Sequence, residues 1–250
     1  MADNTILIAG ASGIVGRAAV ARFNALPGWR VISLSRRAPD LDGPHEHIAL
    51  DLSDAAACEA ASAKFAGVTH VVFAALYELP GLVAGWRETA QMEMNLAFLS
   101  NLMTPLLRVA KSLRHVTLLQ GTKAYGAHIA PMKVPARERW PRHQHANFYW
   151  LQEDWLRAAR KGRDWRFSIL RPQIIFCHGL GSPMNMLAAI GAYGSLLRAR
   201  GEPLHWPGGA PYVASGTCAN LLARAIEWAG TSPAAADETF NIANGDVYVW

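Results

Sequence analysis

The run Gly10-Ala-Ser-Gly13-Ile-Val-Gly16 has residue types and spacing suited to phosphate binding. Glycines three apart, set after an apolar run and before a helical pattern, permit a tight turn. They also let backbone N–H groups at a helix N-terminus approach a pyrophosphate closely. In a chain with 21 glycines such spacing arises by chance, so the position between strand and helix carries the reading. The residues after the second apolar run then select the cofactor. An NAD site ordinarily offers an acid there to the ribose 2′-hydroxyl, whereas this chain offers Ser35-Arg36-Arg37 and no acid before Asp40. Guanidinium groups pair with a 2′-phosphate, so NADPH is the expected cofactor. Asp51-Leu52, after a third apolar run, is placed to meet the adenine or to help cap the next helix.

The elements that must position these residues follow from periodicity. Strands are expected at Thr5–Ala9, Trp29–Ser35, His47–Leu50, Thr69–Ala75, His115–Gln120 and Arg166–Leu170. Helices are expected at Ile14–Leu26, 55–66 with Ser53 or Asp54 as N-cap, 88–112, and 148–161 capped by Asn147. Alternating strands and helices, several strands being uniformly apolar, imply an α/β fold with a Rossmann-type doubly wound parallel sheet. One NADP(H)-binding domain over 1–250 is expected. The segments 76–87, 124–146 and 176–215 interrupt the alternation and follow predicted strands. Ligands of open α/β sheets bind outside the carboxyl ends of the strands, so these segments are expected to form substrate walls.

Composition narrows the classes. At 250 residues, 51% hydrophobic and 17% charged, the chain is neither disordered nor fibrous. Lys+Arg 24 against Asp+Glu 19 gives +5, far from the dense basic stripe of a nucleic-acid binder. Cys58, Cys177 and Cys218 form no CxxC pair and read as buried thiols of a reducing compartment. Residues 1–10 lack a leader pattern, and no apolar stretch reaches the roughly 20 residues of a membrane span, so a cytoplasmic protein is expected. Arg137, Arg139, Arg142, His143 and His145 read as a solvated basic loop without metal-ligand spacing, and no metal is expected. Glu153 and Asp154 read as helix-dipole acids. Trp86, Phe148, Trp150 and Met184 are candidates for an apolar pocket or for core packing.

The gapped glycine pattern, Asp51, and Arg171-Pro172 behind a strand resemble the extended short-chain dehydrogenase/reductase superfamily. Its usual Tyr-x-x-x-Lys signature is absent, because Tyr125, Tyr149 and Tyr77 are followed at that spacing by Ile129, Glu153 and Gly81. Two other segments, Gln120-Gly-Thr-Lys123-Ala-Tyr-Gly126 and Asn147-Phe-Tyr149-Trp-Leu-Gln-Glu153-Asp154, are similar to the pattern of progesterone 5β-reductase/iridoid synthase-like enone reductases. There the Lys sits in a GTK segment and the Tyr in an NFYYxxED segment. Ser182-Pro-Met-Asn185, Trp206-Pro-Gly208 and Phe240-Asn241…Asn244-Gly-Asp246-Val extend the resemblance over essentially the whole chain. The family's second Tyr is here Trp150.

The resemblance implies that Tyr149 and Lys123 form the catalytic pair. Tyr149 would hold the enolate oxygen of an enone, while Lys123 would favour its phenolate and bond the nicotinamide ribose. The cofactor-binding set is expected to comprise Gly10, Ser12, Gly13, Ile14, Gly16, Ser35, Arg36, Arg37, Asp51, Leu52, Ala74, Ala75, Gln120, Lys123, Tyr149, Arg171, Pro172 and Ile174. The expected activity is NADPH-dependent reduction of the C=C bond of a small apolar enone. Two alternatives stay open: aldehyde or ketone reduction by the same residues, and a non-catalytic NADP(H)-binding sensor. A homodimer also stays open. Family chains continue beyond the NGDV segment, so a truncated C-terminal part is expected.

Overall fold

The computed structural model describes residues 4–81, 84–182 and 184–249. Leu82 and Val83 of the 76–87 segment, Pro183 of the Ser182–Asn185 segment, and Trp250 lie outside them. Strands β1 (Asn4–Ala9), β2 (Trp29–Ser35), β3 (Glu46–Ala49), β4 (His70–Phe73), β5 (His115–Leu119), β6 (Arg166–Pro172) and β10 (Thr239–Ile242) form one sheet. Its order is β10-β6-β5-β4-β1-β2-β3, with every pairing parallel. Strand order reverses between β1 and β4, and the carboxyl ends of those two strands flank the crevice where open α/β sheets bind ligands.

The sheet is buried on both faces, as its uniformly apolar strands require. On one face Leu7, Ala9, Ile32, Leu34, Val71 and Phe73 join a core that includes residues of α2 (Ala55–Ala60), α3 (Thr89–Val109) and α4 (Phe148–Arg160). On the other, Ile6, Ile8, Val31 and Val72 pack with residues of α1 (Ile14–Asn24) and α6 (Ala219–Thr231). The alternation within β1 thus divides Ile6 and Ile8 from Leu7 and Ala9.

Several elements depart from the sequence expectation. The helix expected over 55–66 is α2, capped by Asp54 accepting from the Ala57 N–H, followed by a 3-10 turn at Ser62–Phe65 that carries Phe65 into the core. Strand β6 runs on through Pro172 because β10 pairs with it, Asn241 opposite Arg171 and Ile242 opposite Pro172. The 176–215 segment, read as a break, contains the 14-residue helix α5 (Met186–Ala199), capped by Asn185 accepting from the Ala188 N–H. Two small pairs complete the fold: β7 (Ile174–Phe176) with β9 (Gly216–Cys218), and β8 (Val213–Ala214) with β11 (Tyr248–Val249). Of the three thiols only Cys58 is buried; Cys177 and Cys218 are half-buried. Among the described residues no helix is long and apolar enough to cross a membrane.

Candidate active site

Because the strands run in parallel, the segments that follow them emerge at one edge, and the predicted cofactor residues gather there. Gly10 has φ +80, and a Cβ on it would lie 2.6 Å from backbone atoms of both Ala74 and Ala75. A Cβ on Gly16 would overlap the Gly10 carbonyl oxygen. The turn is tied to its neighbours by the Gly10 N–H donating to the Leu34 carbonyl (2.9 Å) and the Gly13 N–H donating to the Gly10 carbonyl (3.0 Å). Helix α1 then starts with no side-chain cap and no acid in its first turn, which leaves positive backbone dipole for an anion. Ser12 is half-buried and Ile14 is covered by the 176–215 segment, where a Cβ on Gly179 would lie 3.2 Å from the Ile14 side chain.

Beyond β2, Arg36 and Arg37 are exposed. The Ser35 hydroxyl donates to the Arg37 carbonyl (2.6 Å), and the Arg37 guanidinium lies against Gly181. The Asp51 carboxylate accepts from the N–H and hydroxyl of Ser53, which hold it below the usual carboxylate range, with Arg36 adding in the same direction. Leu52 departs from the expectation in part: its side chain belongs to the core and its carbonyl accepts from the Asn101 amide. Pro172 is buried at the end of β6, and Ile174 lies half-buried in β7.

Lys123 and Tyr149 reach the same place from different elements. Lys123 sits in the 3-10 turn Thr122–Tyr125 after β5, and Tyr149 in the first turn of α4. One buried side chain joins them: the Asn147 amide oxygen accepts from the Tyr149 N–H (3.0 Å) while its NH2 donates to the Lys123 carbonyl (3.1 Å). A Cβ on Gly121 would lie 3.2 Å from the Tyr149 hydroxyl and 3.4 Å from the Pro172 carbonyl oxygen, so glycine there lets the phenol approach the ends of β5 and β6. The Lys123 ammonium lies 4.1 Å from the Trp86 ring centre, 5.3 Å from that of Phe148 and 5.7 Å from that of Tyr149. Trp86 and Phe148 therefore flank the Lys123 ammonium.

The electrostatics revise one expectation. The Tyr149 phenol is not drawn towards its ionised form: burial and the Glu78 carboxylate push its pKa up, and Arg171 offsets this only in part. It is a neutral hydrogen-bond donor at working pH. The Lys123 ammonium pairs with Glu78 (3.7 Å), a residue that sequence reasoning did not single out. Nothing local marks Glu78; its significance comes from the folding of the 76–87 segment over the end of β5.

Behind the pair runs a buried polar chain. The Arg171 Nε donates to the Gln120 side-chain oxygen (2.8 Å), and the Gln120 NH2 donates to Glu153 (3.0 Å). Gln120, expected to bind cofactor, therefore has its side chain engaged inside the protein. Glu153 is not a first-turn acid: it is buried one turn further on and accepts from Arg142 and Arg157 (2.9 Å each), which keep its carboxyl ionised despite burial. Arg142 also pairs with Asp154 (2.6 Å) and lies over Trp150, so it is a structural tie and not a solvated charge. The imidazoles of His143 and His145 share a hydrogen bond (2.8 Å). Trp150 is buried between Arg142 and Arg171, and Met184 is exposed.

The 124–146 segment is fastened to the edge strand through Asn241. The Tyr125 hydroxyl donates to the Asn241 side-chain oxygen (2.7 Å) and accepts from Arg171 (3.2 Å). The Asn241 NH2 donates to the Ala136 carbonyl (3.1 Å), and its backbone N–H donates to Glu138 (2.8 Å).

Comparison with known proteins gives a consistent relationship. A family model described as the PRISE-like Rossmann-fold domain matches residues 52–246. The chain is similar to an (S)-8-oxocitronellyl enol synthase of Camptotheca acuminata, 31% identical over 268 residues, covering 99% of this chain and 66% of that enzyme. It is similar to a 3-oxo-Δ(4,5)-steroid 5-beta-reductase of Arabidopsis thaliana at 31% identity, again covering 99% of this chain and 66% of the relative. The chain thus spans 66% of the length of these curated relatives. Among solved structures, a UDP-glucose 4-epimerase of Thermotoga maritima superposes with a TM-score of 0.78 at 19% identity, covering 98% of this chain and 78% of that one. A short-chain dehydrogenase/reductase superfamily protein of Agrobacterium tumefaciens with bound NAD gives 0.73 at 21% identity, covering 98% and 79%. At such identities the likeness to solved structures is one of fold.

Proposed function

This chain belongs to the PRISE-like Rossmann-fold family, and from that premise we propose that it is an NADPH-dependent reductase of the C=C bond of enones. The observation that carries the reading is the meeting of Lys123 and Tyr149, 26 positions apart in sequence and joined through Asn147, beside the glycine turn's edge of the sheet. The curated relatives named as an enol synthase and a steroid 5-beta-reductase support the same chemistry.

The residues present fit a dinucleotide. Gly10 and Gly16 make a turn with no space for a Cβ, the uncapped start of α1 offers N–H groups to phosphate oxygens, and the exposed Arg36 and Arg37 stand beyond β2, where a 2′-phosphate would lie. NADPH held there would supply a hydride for the β-carbon of the substrate. As charge then develops on the substrate carbonyl oxygen, the neutral Tyr149 phenol donates a hydrogen bond to it and stabilises the enolate, which takes a proton from water at the α-carbon to give the saturated ketone. The Lys123 ammonium places positive charge next to that phenol, and Trp86 and Phe148 present apolar surface to the substrate while limiting water. The segments 76–87, 124–146 and 176–215 form the substrate side of a single NADP(H)-binding unit.

The test is consumption of NADPH with a simple cyclic enone, with product identification. A saturated ketone is expected. An allylic alcohol would replace the reading with carbonyl reduction, and tight NADPH binding without turnover would replace it with a sensor. The cofactor preference has its own check: a double Arg36→Ala/Arg37→Ala variant should raise KM for NADPH by about tenfold or more, the worth of one or two charge-assisted hydrogen bonds. KM for NADH should change little, and an equal rise for both cofactors would refute the 2′-phosphate assignment.

A further inference from the structure

Glu78 is placed as though built for one partner. Its side chain is 7% exposed and that of Lys123 13%. One carboxylate oxygen, Oε2, accepts from the Trp86 indole N–H (3.0 Å) and the Gln91 NH2 (2.7 Å). The other, Oε1, has no hydrogen-bond partner among the described residues and lies 3.7 Å from the Lys123 ammonium.

The backbone carrying Glu78 is held with equal care. The Asn95 side-chain oxygen accepts from the Tyr77 N–H and its NH2 donates to the Tyr77 carbonyl (2.9 Å each). The Gln91 side-chain oxygen accepts from the Leu79 N–H (2.9 Å). Gln91 and Asn95 are themselves buried one turn apart in α3. A buried carboxylate whose second oxygen lacks a hydrogen bond is costly unless a cation compensates it.

We propose, resting on the reductase reading above, that Glu78 is a positioning residue: it fixes the Lys123 ammonium against Trp86 beside Tyr149 and keeps it charged. Burial works against that charge and Glu78 works for it. The remaining groups facing Lys123 do not help. His128 and His145 from the 124–146 segment carry no negative charge, and Tyr149 of α4 is a neutral phenol. Among the described residues Glu78 is the carboxylate within ion-pair distance of Lys123. Without it, a desolvated amine among aromatic rings would release its proton at a lower pH, and the positive charge beside Tyr149 would be lost there.

The experiment reads the titration of Lys123 directly, by brief acetic anhydride labelling across a pH series with the modified peptide quantified by mass spectrometry. In Glu78→Gln the labelling midpoint of Lys123 is expected to fall by about 1 to 3 pH units relative to the parent. Glu78→Ala carries the same expectation and serves if the Gln variant does not fold. Glu78→Asp, which keeps the charge, should hold the midpoint above that of Glu78→Gln. In turnover with NADPH and a cyclic enone, the alkaline limb of kcat should move down with the midpoint, a shift that a merely structural role would not produce. A Lys123 midpoint unchanged in the neutral variants, or an Asp variant titrating with the Gln variant, overturns the proposal. If the parent shows no turnover, the reductase reading fails while labelling still decides the role of Glu78.

Discussion

Replacing Tyr149 by Phe is expected to lower kcat for enone reduction by about 100- to 1000-fold, the usual cost of removing one preorganised donor to a developing oxyanion. The substitution removes only the hydroxyl, which lies against Gly121. Helix α4 keeps its Asn147 cap, and Phe148 keeps its ring contact with residue 149. The dissociation constant for NADPH and the thermal midpoint should therefore stay close to those of the parent. A companion expectation follows from the direction of the phenol's pKa. Burial and Glu78 hold Tyr149 neutral, so its own ionisation should leave kcat flat up to about pH 10, the ordinary phenol value. Stopped-flow measurement of the hydride-transfer step with parent and variant decides the matter. A variant that transfers hydride as fast as the parent would exclude Tyr149 as the oxyanion donor.

Acidification is expected to unfold the protein from the opposite end of the sheet. His70 and His115 begin β4 and β5, face each other in register, and are each 5% exposed. The His70 Nε2–H donates to the Gly230 carbonyl (3.2 Å). The His115 Nε2–H donates to the Ser168 hydroxyl (3.0 Å), which itself donates to the Ala235 carbonyl (2.5 Å). Burial favours the neutral form of both rings and depresses each pKa to about 4, with Arg114 adding to the effect at His70 and His70 to that at His115.

The sign of the pH dependence follows. The unfolded chain takes up these protons near pH 6.5 and the folded chain only near 4, so stability falls as pH drops through that window and levels off below it. Each site contributes on the order of 3 kcal/mol, a large share of the roughly 5–15 kcal/mol of a typical domain. Urea denaturation at pH 7, 6, 5 and 4.5 measures it. A His70→Asn/His115→Gln variant should lose most of the slope; a parent whose stability is level across this range would contradict the assignment.

The first six strands of the main sheet were readable from the sequence because each is a short, largely apolar run ended by a turn signal, a pattern that a parallel sheet covered on both faces demands, whereas β10, a half-buried Thr-Phe-Asn-Ile at the sheet's edge, and helix α6 were not read. Helix α5 was not read from an apolar 14-residue stretch interrupted by Gly191 and Gly194. The local signals were nevertheless present, with Asn185 as N-cap and Gly201 at φ +71 after the last turn. Among candidate site residues, Lys123 and Tyr149 were legible only as a resemblance, because no spacing rule links two positions 26 apart. Glu78, the Gln120–Glu153 contact and the Arg142–Glu153 pair exist only once loops fold over the sheet. Charges that look solvated in a linear reading proved to be one another's counter-ions, because burial selects pairs that lie far apart along the chain.

If the 124–146 loop forms a substrate wall, as proposed, Asn241 gives that wall an unusual unit of inheritance. It belongs to the edge strand, a hundred residues from the 124–146 loop, yet it grips that loop at Tyr125, Ala136 and Glu138. Recombination that moved the loop alone between relatives would leave behind the residue that sets its height above the sheet. Substrate range in this scaffold should therefore travel as a discontinuous module, a loop together with one asparagine near the other end of the chain.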